Sequence, residues 1–184
     1  MDKTYINVFD VLMKKYSILK IDYSEDFTSN EKLSVSLKES NFVTTNILYK
    51  HLDLSSVMVL TFSTSYQALA IPVKNKPNQS LVIGIQNNEF NILLLPKFVS
   101  NEVSKYGTGW ITIVTEEETW SDNFEQDIHL NAENNRPKKS CFRKCFDKAY
   151  DDVCDGFLGC VAWYTNPGIA VVVAAGCGVM CEIK

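Results

Sequence analysis

Six cysteines carry most of the chemistry available to this 184-residue chain, and all of them lie between Cys141 and Cys181. Cys141, Cys145, Cys154, Cys160, Cys177 and Cys181 read as C-x3-C, two singles, and C-x3-C again. Thiols in such numbers bridge one another, bind a metal as thiolates, or exchange electrons. Zinc accepts cysteine pairs spaced by two to four residues, so the x3 spacing permits a metal, although no histidine accompanies the set. A redox-active thiol needs exposure and a lowered pKa, for which Arg143 and Lys144 beside Cys145 are the local support. A disulfide set accounts for the even count, the symmetric spacing and the confinement to a segment short enough to need staples. Bridges are the expected state, with no metal site and no cofactor.

The x3 spacing also says how the bridges are carried. Residues four apart share one helix face. Cys141 continues along its face to Cys145, Ala149 and Val153, and near the far end Ala170, Ala174 and Gly178 form a ladder of small residues beside Cys177 and Cys181. Two antiparallel helices with small inner faces bring the outer cysteines together and the inner ones together. That gives Cys141–Cys181 and Cys145–Cys177, and leaves Cys154 for Cys160, with Gly156 or Gly159 bending the chain between them. Fifteen connectivities are open to six cysteines, and this nested one is the expectation.

From Gly156 to Cys181 there is no charged side chain. Asn166 and Pro167 read as the N-cap and first turn of a helix, followed by about 15 apolar residues, short of the ~20 that a spanning helix needs. Such a stretch is the core of a stapled mini-domain or a membrane-active face. In the second reading Phe157, Leu158, Trp163, Tyr164, Ile169, Val171, Val172 and Val173 contact the membrane.

The preceding residues must carry this tail. Composition is that of an ordinary globular chain, 46% hydrophobic and 22% charged, with a net charge of −4 that disfavours nucleic acid as a partner. Thr4 to Leu19 repeats its apolar residues at helical period. Leu33, Val35 and Leu37 alternate as in a strand, and Phe42 to His51 suits a short helix. Val57–Phe62, Tyr66–Val73, Leu81–Ile85, Phe90–Leu95 and Trp110–Val114 are β-rich runs bounded by turn residues. Connections this short favour an antiparallel meander. Glu116-Glu117-Glu118 reads as a solvated loop or helix start, and Phe124, Ile128 and Leu130 as a last docking element. The expected class is α+β: an N-terminal antiparallel β-meander with flanking helices on one sheet face, plus a small disulfide-stapled helical hairpin at the C-terminus. The expected divisions are a leader- or immunity-like domain over 1–130, a linker over 131–140, and a cysteine-rich helical peptide over 141–184. Arg136, Lys138 and Lys139 in the linker suit a processing protease, or simply an exposed basic segment.

Nothing in the chain suggests an enzyme. Its two histidines, His51 and His129, stand alone in polar surroundings. Phosphate-loop, dinucleotide, zinc-protease and calcium-loop signatures are absent, and Gly107-Thr108-Gly109 suits a hairpin turn. The start, MDKTYINVFDVLMKKYSILK, holds no apolar export segment, while paired cysteines suit an oxidising compartment.

On these residues the tail resembles the cysteine-rich C-terminal peptide of halocin-like bacteriocin precursors: paired cysteines, Gly/Ala/Val-rich helices and near-neutral charge behind a cysteine-free region. The chain departs from that pattern in having fewer cysteines than the archaeal prototype and no export segment. The resemblance covers about a quarter of the chain. It implies that the six cysteines are staples, that 131–140 is the region of release, and that the peptide acts at the envelope of related cells. It implies a precursor made in the cytoplasm and a product secreted after processing, with a dedicated exporter and protease, a target-cell membrane, and contact between peptide and N-terminal domain as its partners. The alternative from the residues is an intracellular binding protein whose tail is a metal- or redox-dependent interaction module, its apolar helix covering the sheet.

Overall fold

The computed structural model describes residues 3–63, 65–86, 89–103, 109–116, 119–123, 140–153, 163 and 166–182. Among these, the β-rich runs pair into one seven-stranded antiparallel sheet in which each strand neighbours the next in the chain. The strands are β1 (Ile18–Glu25), β2 (Val57–Phe62), β3 (Tyr66–Val73), β4 (Lys76–Gln86), β5 (Glu89–Val103), β6 (Gly109–Val114) and β7 (Thr119–Asn123). The helices are α1 (Lys3–Lys15), α2 (Glu31–Glu39), α3 (Asn41–Asn46), α4 (Cys141–Val153) and α5 (Pro167–Glu182), with a 3-10 turn at Tyr49–His51. The α+β class, the meander and the stapled C-terminal helical pair are all present.

Helices cover both sheet faces and not one. Side chains alternate along a strand, so Leu60, Phe62, Ala68, Ala70, Val82, Val99, Ile111 and Ile113 enter one core with α1, α4 and α5. Val57, Val59, Leu69, Ile71, Leu81, Ile83 and Ile85 enter the other with α2 and α3. Burial on both sides explains why Val57–Phe62 reads as an almost unbroken apolar run.

Two local expectations are corrected, and one strand that the sequence reading did not include is added. The run of Leu33, Val35 and Leu37 is helix, since Asn30 Oδ1 accepts from the Leu33 amide at 2.9 Å. That cap outweighs the alternation: Leu33 and Leu37, four apart, are buried while Val35 is 51% exposed. Helix α1 stops at Lys15, and Ile18 to Glu25 is the edge strand β1. No glycine marks that stop, because Ser17 takes the left-handed conformation itself, at φ 54°. Thr119–Asn123, after the acidic triplet, is the opposite edge strand β7. By contrast the turn between β3 and β4 was legible. Val73 pairs with Lys76, and Asn75 adopts φ 61°, a conformation suited to a tight hairpin.

Asn101 on β5 is 2% exposed, and neither polar atom of its side chain finds a hydrogen-bond partner among the described residues. An unsatisfied buried amide costs about 1–3 kcal/mol. Asn101→Leu should therefore raise the urea midpoint at unchanged slope, by the equivalent of about 1 kcal/mol.

Candidate functional site

The C-terminal hairpin is assembled from two helices with different surfaces. Helix α4 is amphipathic: Phe142, Phe146 and Ala149 are buried while Lys144, Lys148, Asp151 and Asp152 are exposed. Ser140 caps it, its Oγ accepting from the Arg143 amide at 3.1 Å. Helix α5 is apolar on every side, and Asn166 caps it by accepting from the Gly168 amide at 3.0 Å. That is the cap expected from the Asn-Pro pair.

The helices run antiparallel and are joined by Cys141–Cys181 and Cys145–Cys177, with Cα atoms 5.9 and 5.6 Å apart. Both separations fall inside the range a bridge requires. These are the two nested pairs expected from the x3 spacing. Bridging removes these four sulfurs as thiolate ligands and places the hairpin in an oxidising setting. Cys154, Cys160, Phe157, Leu158, Tyr164, Arg136, Lys138, Lys139, His129, Phe124, Ile128, Leu130 and the linker up to residue 139 lie outside the described residues. His51 is exposed in the 3-10 turn.

The five described residues of those expected at a membrane are interior in this fold. Trp163, Ile169, Val172 and Val173 are 0% exposed and Val171 is 5%. Trp163 stands edge-on to Phe146 and Tyr150, with ring centroids 5.3 Å away in each case. The reason is that the sheet offers an apolar face to pack on, and a helix without a polar side is stable only when covered all round. Among the described residues no helix is long and apolar enough to cross a membrane. The residues on either side of the expected linker thus share one core.

Helix α1 supplies the cover that sequence reasoning missed. Tyr16, at its end, is 4% exposed and lies flat against Gly176 of α5. A Cβ on Gly176 would stand 2.6 Å from Tyr16 Cδ2. One on Gly168 would stand 3.3 Å from the tip of Phe9. Tyr16 Oη lies 3.6 Å from Cys177 Sγ. A bridged sulfur has no proton, so the hydroxyl donates. Burial, with the Asp152 carboxylate adding to it, raises the Tyr16 phenol well above its ordinary value and keeps it protonated. The glycines flanking Cys177 were the signal available in the sequence, since glycine admits close approach.

At the rim, Lys15 Nζ meets Asp152 Oδ2 at 2.7 Å and ties α1 to α4. The hydrogen bond from Lys15 lowers the Asp152 pKa below its ordinary 3.8. A lowered carboxyl pKa stabilises the fold above the unfolded value and ceases to do so as pH falls through the folded one. The Asp152 contribution is therefore fully present at neutral pH and is lost only in acid. Because both groups reach solvent, Asp152→Asn should cost under about 1 kcal/mol at neutral pH, measured by thermal unfolding.

No family model, curated protein sequence or solved structure matches the chain.

Proposed function

We propose that the chain is the precursor of a disulfide-stabilised antimicrobial peptide, in which residues 1–130 carry or restrain the hairpin and residues 141–184 are the membrane-active product. The role is binding and disruption, not catalysis. The observation that supports it is the placement of the covalent links. The most apolar helix is tied by two bridges to α4 alone. Residues 1–140 contain no cysteine, so every contact between the hairpin and the sheet is non-covalent. A cut within 131–140 would leave a cross-linked hairpin free to exchange the sheet for lipid. Helix α5 is about 24 Å long at 1.5 Å per residue, against a hydrocarbon core of about 30 Å, so the released peptide would bind shallowly or assemble. Processing at Arg136, Lys138 or Lys139, export, and action at the target envelope complete the reading.

An oxidised synthetic peptide covering 136–184 should inhibit growth of related bacteria and release dye from lipid vesicles. The reduced, alkylated peptide should do neither. Inactivity of the oxidised form across a broad panel, in both assays, defeats the proposal.

One observation favours a second reading. Ile169, Ala170, Val172, Val173 and Ala174 have no exposed surface, as in a permanent core element of an intracellular binding protein. Cutting the linker under native conditions separates the two readings. A releasable peptide elutes apart from residues 1–130, whereas a permanent core element remains with them.

A further inference from the structure

The two bridges sit one helical turn apart yet in different surroundings. Cys141 is exposed at the first turn of α4, and its partner Cys181 is half-exposed beside Met180, itself 52% exposed. Cys177 of the other bridge is 0% exposed, between the Gly176 contact with the Tyr16 ring and the hydrogen bond from the Tyr16 hydroxyl. Cys145 opposite it is half-buried, as Cys181 is, and both pack against the edge of the same core. Thiol–disulfide exchange requires an attacking thiolate to reach a sulfur. Only the outer bridge has an exposed cysteine, Cys141, whereas the inner one pairs a half-buried Cys145 with the fully buried Cys177.

We propose that Cys141–Cys181 is a thiol–disulfide exchange site for a dithiol reductant, and that Cys145–Cys177 is a structural staple which α1 screens from the same reagent. A thiolate of the dithiol attacks Cys141 Sγ. The sulfur–sulfur bond breaks, and Cys181 leaves as a thiolate that takes a proton from water. The second thiolate of the reagent then attacks the reagent sulfur of the mixed disulfide, releasing Cys141 as a thiolate. The bridge gains two electrons and the dithiol becomes a disulfide. The amides of the first turn of α4 favour the departing Cys141 thiolate. Opening this bridge frees the α4 start and the α5 end, while the inner bridge holds the hairpin closed. The site is reversible, and it stands whether or not the hairpin is ever released.

The test uses the full-length oxidised protein in native buffer with graded dithiothreitol, trapping by N-ethylmaleimide and peptide mapping. Cys141 and Cys181 should acquire label together while Cys145–Cys177 remains intact, with rates differing by about tenfold or more. Denaturing urea should bring the two rates together, because burial is the cause of the difference. Tyr16→Ala should speed opening of the inner bridge and leave the outer rate unchanged. Should that variant fail to fold, Cys141→Ala/Cys181→Ala provides the second arm, and its remaining bridge should resist reduction in native buffer. Labelling of Cys145 and Cys177 first, or in step with the outer pair, overturns the proposal. So does an order of reduction that survives in urea.

Discussion

Replacing Cys141, Cys145, Cys177 and Cys181 together by alanine should lower stability by about 6.5 kcal/mol, whereas removing either bridge alone should cost only about 2.5 kcal/mol, so that the single losses sum to about 5 kcal/mol. The asymmetry follows from nesting. The bridges span sequence separations of 40 and 32, and the chain-entropy estimate for either loop by itself is near 4 kcal/mol. Once one bridge is closed, the other closes only the short ring between them, about four residues on each helix, worth about 2–3 kcal/mol. Loss of one bridge leaves the long loop closed, and loss of both opens it. Since a domain of this size is stable by about 5–15 kcal/mol, the quadruple variant should be partly unfolded at body temperature, while each two-cysteine variant still unfolds cooperatively. Circular dichroism against urea, with all variants at one protein concentration, measures the difference. Costs that simply add would show that the loops are not coupled and would remove the entropic account.

Gly176→Ala should cost about 2–3 kcal/mol, the price of overpacking where neither backbone nor ring can retreat. The added methyl would stand 2.6 and 2.7 Å from the ring carbons Cδ2 and Cδ1 of Tyr16. These atoms lie near the root of the side chain and not at a mobile tip. Tyr16→Ala should cost about 3–4 kcal/mol by emptying a buried site. The double variant should cost less than the sum by about 1–2 kcal/mol, since the methyl then enters vacated space. Strict additivity would mean that the contact between α1 and α5 is not what restricts position 176. The same variants bear on the proposed release. A weakened α1 contact should speed separation of the hairpin after a linker cut.

Much of the site was legible because its signals are local. The x3 cysteine spacing states which residues share a helix face, and antiparallel pairing then fixes Cys141 against Cys181 and Cys145 against Cys177. The Asn166 cap and the runs that became β2 and β3 depend on a few neighbouring residues. Where two local signals competed, reading failed. Leu33, Val35 and Leu37 fit a strand and a helix alike, and the Asn30 cap decided. The periodicity of α1 ran on through Tyr16 and Leu19, although Ser17 turns the chain and Leu19 begins an exposed edge.

Sequence by itself determined that a sulfur-stapled helical pair, its second helix free of charge up to Cys181, follows a β-rich body, because spacing, charge and capping are properties of adjacent residues. Only the tertiary structure decided what that pair faces. A helix with a polar side announces which way it points, but α5 has none. Its interior position depends on a sheet face built from residues 60–113 and on Phe9 and Tyr16, more than 150 positions before the glycines they touch. No period in the sequence encodes a contact at that range; it arises when separate apolar surfaces meet and exclude water together.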